Sequence, residues 1–265
     1  MEATYAIGEV LLKAENINLS FGGKQILRDV NMEIKNIVRP GVKQGQVVSL
    51  IGRSGIGKTQ LFKTLAGLQK PTSGSVTLHG TMPVKAGDMG VVFQNYYLFE
   101  WRTVKTNLML AAKKNPLIKG KEMQEINKMA EQFQLMEHLN KYPQQLSGGQ
   151  RQRASIIQQL VNGSDFLLLD EPFSGLDVIV LDKVANLLNE VSLSDDLKTL
   201  IIVSHDIETT TALSDTVYIM AQEAGKPGAT IVKTIDLIAR DCAWNKDVRH
   251  KPAFVETIKE IKSLL

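Results

Sequence analysis

The chain has 265 residues, 43% of them hydrophobic and 22% charged, with a formal net charge of +3. This length allows a large buried core, in one large domain or in one domain with a subdomain, and so small a net charge does not by itself indicate nucleic-acid binding. A single cysteine, Cys242, excludes an internal disulfide framework, and the lack of both a secretory signal and an apolar run near roughly 18 residues predicts a soluble chain that would reach a membrane only through a partner.

Apolar and β-branched runs, bounded by turn residues, predict a series of strands. In chain order they cover 12–21, 25–34, 46–52, 74–80, 89–94, 165–170, 199–205, 215–221 and 230–236. The Gly22-Gly23 turn joins the first two runs, which predicts a hairpin-like start. Because later apolar runs alternate with helical segments, we expect a largely parallel sheet.

Helical patterns separate these strands. They cover about 58–67, 103–140, 177–192 and 252–265. The second segment, with a break at Pro116 and Gly120, is expected to be a helical insertion into an α/β domain. The last segment places apolar residues at helical spacing, so we expect a helix packed on the body of the domain. These apolar residues are Phe254, Val255, Ile258, Ile261 and Leu265.

The stretch GRSGIGKT (52–59) follows a buried strand and precedes a helix, where a phosphate-binding loop would lie. Successive backbone N–H groups of such a loop wrap the phosphates, and its glycines let the backbone come close. Lys58 would reach the β- and γ-phosphates, and the Thr59 hydroxyl would ligate Mg²⁺. The predicted nucleotide-binding residues here are Gly52, Ser54, Gly55, Gly57, Lys58, Thr59 and Gln60.

Two acids end the apolar stretch FLLLDEP (166–172), so the strand delivers them to the edge of the sheet where ligands bind. Asp170 is expected to hold Mg²⁺ through water, and Glu171 to polarise the attacking water. At the same edge, His205 could contact the γ-phosphate, and Gln94 could sense the Mg²⁺ or the water. In isolation an acid pair or a lone histidine at a strand end is more often structural, so these roles depend on the phosphate loop beside them.

The stretch LSGGQRQR (146–153) places Ser147 and two glycines before a polar run, which is typical of a helix start. The free N–H groups of a helix start form an anion site. The pattern alone leaves open which anion is bound, and whether this chain binds it alone.

Six motifs in order, GRSGIGKT, VVFQ, LSGGQRQR, FLLLDEP, SGLD and VSH, resemble the ATP-binding subunit of ABC transporters over nearly the whole chain. The resemblance implies an α/β fold with a RecA-like P-loop NTPase core, an N-terminal antiparallel β subdomain and an inserted α-helical subdomain. The core and β subdomain would cover 10–94 and 161–265, and the helical subdomain 95–160. It also implies that ATP and Mg²⁺ are bound and that ATP is hydrolysed.

The same resemblance implies a homodimer that closes head-to-tail around two ATP molecules. Ser147, Gly149 and Gln150 would bind the γ-phosphate of the ATP held by the other protomer. Asp177 would cross the interface, and Phe21 would stack on adenine. The implied partners are integral membrane permease subunits and, for an importer, a solute-binding protein, with no nucleic acid. They would hold the chain at the cytoplasmic face of the cell membrane.

The stretch FQNYYLFEWRTVKTNLMLA (93–111) and the C-terminal tail resemble bacterial importers of the nitrate, sulfonate and taurine type. In the family this region forms the wall of a groove that receives a short cytoplasmic helix of the membrane subunit. We therefore expect one or more of Leu98, Phe99 and Trp101 to be exposed in the isolated chain. The alternative is that these side chains only pack the helical subdomain onto the core.

Some positions depart from the family pattern. Gln60 replaces a hydroxyl residue, and the turn over 35–45 is longer than usual, but no catalytic group is lost. Two alternatives stay open: a soluble ABC-type ATPase without a membrane partner, and a binding module with an inactive ATPase site. The sequence has none of the large coiled-coil or zinc insertions that would favour the first. It retains Lys58, Glu171 and His205, whose loss would signal the second.

Overall fold

The architecture comes from a computed structural model that describes residues 5–38, 45–173, 199–243 and 247–265. Its strands are β1 (Ala6–Phe21), β2 (Lys24–Val38), β3 (Gln46–Gly52), β4 (Ser73–Leu78), β5 (Met82–Pro83), β6 (Gly90–Val92), β7 (Phe166–Asp170), β8 (Thr199–Ser204), β9 (Thr216–Gln222) and β10 (Ala229–Asp236). Its helices are α1 (Lys58–Leu65), α2 (Val104–Ala112), α3 (Glu122–Gln132), α4 (Gly148–Val161), α5 (Ile207–Leu213) and α6 (Pro252–Leu264).

All of these strands join one hydrogen-bonded sheet, in the order β5-β4-β1-β2-β10-β9-β3-β8-β7-β6. From β9 to β6 the neighbouring strands are parallel. Strands of this kind are buried on both faces and read as continuous apolar runs, and every residue of β3, β7 and β8 is buried. Because these strands are parallel, their last residues, Gly52, Asp170 and Ser204, lie at one edge of the sheet.

The N-terminal strands form an antiparallel part of the same sheet. The predicted hairpin is confirmed as β1 and β2, and β4 pairs along the other side of β1. Strand β10 is antiparallel to β9 and pairs in parallel with β2 at one position, where Ala229 lies opposite Leu27. The sheet is therefore mixed rather than largely parallel, because the hairpin and the β9–β10 return create antiparallel pairs that apolar runs alone do not reveal.

Three helices, α2, α3 and α4, lie between β6 and β7 and pack around one apolar cluster. Leu108 and Ile126 are among its fully buried members, and Leu169 continues the cluster onto β7. The predicted break is a 3₁₀ turn over Pro116–Ile118, followed by Gly120 at φ 81°. The inserted helices therefore share their core with one face of the sheet.

The predicted C-terminal helix is confirmed as α6, which packs against β9 and β10 in a third apolar cluster. Phe254, Ile258 and Ile261 are buried there, whereas Val255 is exposed, because neighbours in a helix point about 100° apart. The helix predicted over 177–192 lies outside the described residues. In the part of the chain that the structure describes, no helix combines the length and the apolar character needed to cross a membrane.

Candidate functional site

The loop between β3 and α1 has the backbone geometry of a phosphate cradle. Gly57 precedes α1 at φ 110°, in the left-handed region, and a Cβ there would lie 3.0 Å from the side chain of Ile26. At Gly52, a Cβ would lie 2.7 Å from the carbonyl oxygen of Met220. The positive φ at Gly57 and the close carbonyl at Gly52 therefore require glycine, and the first N–H groups of α1 follow this loop directly.

Lys58 is buried beneath this loop. Its Nζ donates to the carbonyl oxygens of Gly52 (2.9 Å) and Arg53 (3.1 Å), and it lies 3.7 Å from Glu171 Oε1. Burial lowers the pKa of Lys58, whereas the carboxylates of Glu171 and Asp170 act in the opposite direction. Charged phosphate oxygens are stronger acceptors than carbonyl groups, so the ammonium group can change partners when a phosphate enters.

Asp170 ends β7 beside the loop and has the features of a cation ligand. It is buried, its Oδ1 has no hydrogen-bond partner among the described residues, and its carboxylate is hydrogen-bonded to the Thr59 side chain. Burial raises the pKa of Asp170, and the hydrogen bond from Thr59 opposes that rise. A buried carboxylate oxygen without a partner is costly, and a cation beside the Thr59 hydroxyl would pair with it. These residues therefore fit Mg²⁺, a hard ion that prefers oxygen ligands.

Glu171 is fixed by its backbone and by three hydrogen bonds. Its φ of 52° lies in the left-handed region, which is costly for a residue other than glycine. Its Oε2 accepts from the His205 ring Nδ1 (2.7 Å), the Ser204 hydroxyl (3.2 Å) and the His205 backbone N–H (3.3 Å). Residues held in such strained conformations cluster at functional sites, so this geometry favours a chemical role for Glu171 over a purely structural one.

One cavity, of about 410 Å³, collects most of the predicted site residues. Its lining consists of Phe21, Ile26, Ser54, Gly55, Gly57, Lys58, Thr59, Gln60, Gln94, Glu171 and His205. Gly52 and Asp170 are in contact with this lining through Lys58 and Thr59. The volume lies within the usual range for a small-molecule site. The backbone N–H of Gln60 donates to the Gly57 carbonyl (3.0 Å), so it is already engaged within the chain.

Two contributors to the site were not predicted from the sequence. Ile26 lines the cavity, and its side chain lies 3.0 Å from where a Cβ at Gly57 would be. The Ser204 hydroxyl donates to Glu171. Ile26 carries no motif, because its place depends on how the β1–β2 hairpin folds over the loop. Ser204 precedes His205 in the same strand-end motif, and that adjacency is a signal that could have identified it.

Ser147, Gly149 and Gln150 are not among the residues that line this cavity. The predicted helix start is confirmed, with Ser147 as the N-cap of α4. Its Oγ accepts from the Gln150 N–H (3.3 Å), and Gln150 Oε1 accepts from the Ser147 N–H (2.9 Å), which together form a capping box. This helix start therefore does not contribute to the cavity at the phosphate loop. Asp177 lies outside the described residues.

The aromatic stretch after Gln94 is largely exposed. Tyr97 is 63% exposed, Phe99 45% and Trp101 73%, and the rings of Phe99 and Trp101 lie 5.2 Å apart between centroids. Leu98 is only 8% exposed and belongs to the core of the inserted helices. The expected exposure is therefore found for Phe99 and Trp101 and not for Leu98, whose burial anchors the stretch.

The loop that carries these rings is tied to α2 by one buried amide. Asn107 is fully buried, and its Oδ1 accepts from the Phe99 N–H (2.8 Å). Its Nδ2 lies within hydrogen-bond distance of the carbonyl oxygens of Phe99 (3.1 Å), Thr103 (3.0 Å) and Arg102 (3.2 Å). The exposed rings are therefore held on an ordered loop.

The chain is similar to known ATP-binding proteins, in agreement with the phosphate-binding geometry of the cavity. The family model described as ABC transporter matches residues 36–174. The sulfate/thiosulfate import ATP-binding protein CysA of Escherichia coli is 37% identical over 224 residues, which cover 80% of this chain and 58% of that protein. The bicarbonate transport ATP-binding protein CmpC of Synechococcus elongatus is 33% identical over 265 residues, covering 95% of this chain and 37% of that protein. The chain thus spans only about half the length of these two relatives.

A solved structure extends the comparison to three dimensions. The dimeric ATP-binding cassette MJ0796, in a post-hydrolysis state bound to ADP and Pi, superimposes with a TM-score of 0.68 at 26% identity. The match covers 86% of this chain and 99% of that chain. Since the family model covers more than half of the chain and residues of four of the six motifs, GRSGIGKT, VVFQ, FLLLDEP and VSH, lie in or beside one cavity, the chain belongs to the ABC transporter family.

Proposed function

We propose that the chain is the ATP-binding and ATP-hydrolysing subunit of an ABC transporter that imports a solute. One observation carries the proposal: the phosphate loop, the unpaired oxygen of Asp170 and the fixed carboxylate of Glu171 converge at one edge of the sheet. The relatives support import, since one is named for sulfate/thiosulfate import and another for bicarbonate transport. The solute would be selected by the membrane subunits and, in an importer, by a solute-binding protein.

ATP would bind with its phosphates in the loop and its base toward Phe21. The N–H groups of the loop and of the α1 N-terminus donate to phosphate oxygens, and Lys58 leaves its carbonyl partners for the β- and γ-phosphates. Phe21 and Ile26 offer only apolar surface to the base. Mg²⁺, when bound, neutralises charge on the phosphates. Its protein partners would be Thr59, Asp170 and Gln94.

Glu171 is the group that would accept a proton from the attacking water. Its Oε2 is held by His205 and Ser204, whereas the one partner of its Oε1 among the described residues is Lys58, at 3.7 Å. Once Lys58 turns to the phosphates, Oε1 is free to accept from water, and His205 keeps the carboxylate from rotating. Gln94, on the wall of the same cavity, would orient the water or the Mg²⁺.

A second protomer would complete the site. Ser147 and Gly149 lie at the N-terminal end of α4, where a helix carries free N–H groups suited to a γ-phosphate. Gln150 and Asp177 would belong to the same interface. MJ0796, which shares the fold, is dimeric in its solved structure. Each protomer would thus supply its α4 N-terminus to the ATP held by the other.

The exposed rings of Tyr97, Phe99 and Trp101 would form the wall that receives a short helix of the membrane subunit. A few large aromatic anchors on an ordered loop suit recognition of an amphipathic helix. Arg151 on α4 pairs with Glu100 in this loop, so a movement of α4 on ATP binding would shift the docked helix. In this proposal 95–160 form the helical subdomain, and the membrane subunits hold the chain at the cytoplasmic face of the membrane.

Glu171→Gln tests the catalytic assignment. The variant should bind ATP normally but lower turnover by several orders of magnitude, because the water loses its proton acceptor. The matched control is Glu256→Gln, a substitution of an exposed glutamate on α6, which should leave turnover unchanged. Turnover of Glu171→Gln within about threefold of the wild type would remove Glu171 from the mechanism.

Co-purification tests the assignment to a transporter. Affinity capture of the tagged chain from solubilised membranes should recover an integral membrane protein in a fixed ratio. Recovery of soluble proteins alone would support the alternative of an ABC-type ATPase without a membrane partner.

A further inference from the structure

The side-chain amide of Gln150 is engaged at both ends within its own chain. Its Oε1 accepts from the Ser147 N–H at 2.9 Å, and its Nε2 lies 2.9 Å from Nε2 of His138. His138 ends a 3₁₀ turn over Met136–His138, between α3 and α4. In this arrangement neither end of the Gln150 amide is directed to a ligand of another protomer. The amide instead binds two groups of its own chain, Ser147 and His138.

The two contacts of the Gln150 amide determine which nitrogen of the His138 ring carries the proton. A backbone N–H only donates, so the amide must turn its oxygen to Ser147 and its NH₂ group to His138. His138 Nε2 therefore accepts, which leaves the ring proton on Nδ1. Nδ1 is buried and has no hydrogen-bond partner in the described ranges. Burying an unpaired N–H destabilises a fold, which argues that this histidine serves the Gln150 contact rather than stability alone.

The Gln150 amide holds the first turn of α4. The Ser147 Oγ accepts from the Gln150 N–H (3.3 Å), and the Arg151 N–H donates to the Ser147 carbonyl (2.9 Å). Together with the contact from Oε1, these bonds use the N–H groups of Ser147, Gln150 and Arg151. The N–H groups of Gly148 and Gly149 have no partner within a helix, so they are the donors that the turn leaves for an anion.

We propose that His138 is a positioning residue for the anion site at the start of α4. By accepting from Gln150 Nε2, it locks the capping box, and the locked turn presents the N–H groups of Gly148 and Gly149 to the γ-phosphate of ATP bound by the other protomer. The proposal rests on the proposed function. In this proposal the side chain of Gln150 fixes the backbone at the start of α4 and does not itself contact the phosphate.

Two substitutions distinguish the effect of the His138 acceptor nitrogen from the effect of the size of its ring. His138→Phe keeps a ring of similar size but removes the acceptor, whereas His138→Gln places an amide oxygen at the position of Nε2. In a Glu171→Gln background, sedimentation should show ATP-dependent dimerisation weakened about three- to tenfold by His138→Phe, the equivalent of one hydrogen bond. His138→Gln should restore it to within about twofold, and ATP binding by the monomer should change in neither. His250→Phe, at an exposed histidine, is the matched control.

Amide hydrogen exchange at Ser147 gives a readout that needs no dimer. In the nucleotide-free chain, His138→Phe should speed this exchange about three- to tenfold, and His138→Gln should reverse the change. If His138→Phe fails to fold, His138→Asn, whose amide is too short to reach Gln150, replaces it.

The outcomes distinguish the two proposals. If exchange responds as expected but Glu171→Gln does not dimerise with ATP, the proposed function is refuted while the lock on Gln150 stands. If His138→Phe changes neither exchange nor dimerisation, or if His138→Phe and His138→Gln are equally impaired, the positioning role is refuted.

Discussion

Replacing Asn107 by alanine should destabilise the chain by about 2–4 kcal/mol. The buried amide accepts from the Phe99 N–H, and its two N–H hydrogens are shared among three carbonyl oxygens, which gives about three effective hydrogen bonds. At a net contribution of about 0.5–1.5 kcal/mol each, their loss accounts for most of this range. The loop also borders solvent, so water can pair some of the released groups and keep the cost below its upper limit.

Urea unfolding followed by circular dichroism measures this effect as a lower midpoint with an unchanged slope. Asn140→Ala, at an exposed asparagine of the same subdomain, is the control and should stay within about 0.5 kcal/mol of the wild type. The folded variant should still turn over ATP, because Asn107 does not line the nucleotide cavity. If Asn107→Ala is no less stable than Asn140→Ala, the amide does not order the loop, and the exposure of Phe99 and Trp101 has another cause.

Three further predictions follow from exposed or buried groups at the site. Trp101→Glu should abolish assembly with the membrane subunits but leave basal ATP turnover within about threefold; Leu117→Glu, at another exposed apolar residue, is the control, and normal assembly of Trp101→Glu would refute the docking surface. Because burial raises the pKa of Asp170, the protonated form stabilises the fold below the ordinary aspartate pKa, and this stability is lost as the pH rises through the raised value. Urea unfolding between about pH 4 and 8 should show that loss in the wild type and not in Asp170→Asn, and parallel profiles would contradict it. GTP should be hydrolysed within about tenfold of the ATP rate, because Phe21 and Ile26 have no polar group that reads the edge of a base; strict rejection of GTP would mean that another residue does so.

Local chemistry explains why much of the site could be predicted. Gly57 must adopt a positive φ next to Ile26, and Asp170 must follow an apolar strand to reach the edge of the sheet. Such requirements restrict the residue type at one position, so a single sequence reveals them. The strands and the C-terminal helix were predictable for the same reason, because their apolar spacing reflects burial.

Long-range pairings were not predictable in this way. The capture of Gln150 by His138 joins two residues that carry no shared pattern, and the place of Ile26 in the cavity depends on the fold of the hairpin. Within the aromatic stretch, composition alone does not distinguish the buried Leu98 from the exposed Phe99. The inserted helices decide which side chain of the loop faces their core.

The junction between β2 and β10 has a mechanical consequence for the nucleotide cavity. Within the described part of the chain, the backbone ladder between these strands consists of one pair, Ala229 and Leu27, whereas β3 and β8 pair at every position from Gln46 to Ile51. The remaining connection comes from side chains: Arg28 pairs with Glu223 in the loop between β9 and β10, and the hairpin shares a buried apolar cluster with β3 and α1. The end of the cavity formed by the hairpin is therefore held mainly by side chains, whereas the phosphate loop follows a strand that is held by a backbone ladder. We therefore expect the cavity to keep its shape around the phosphates and to vary more in width at the base.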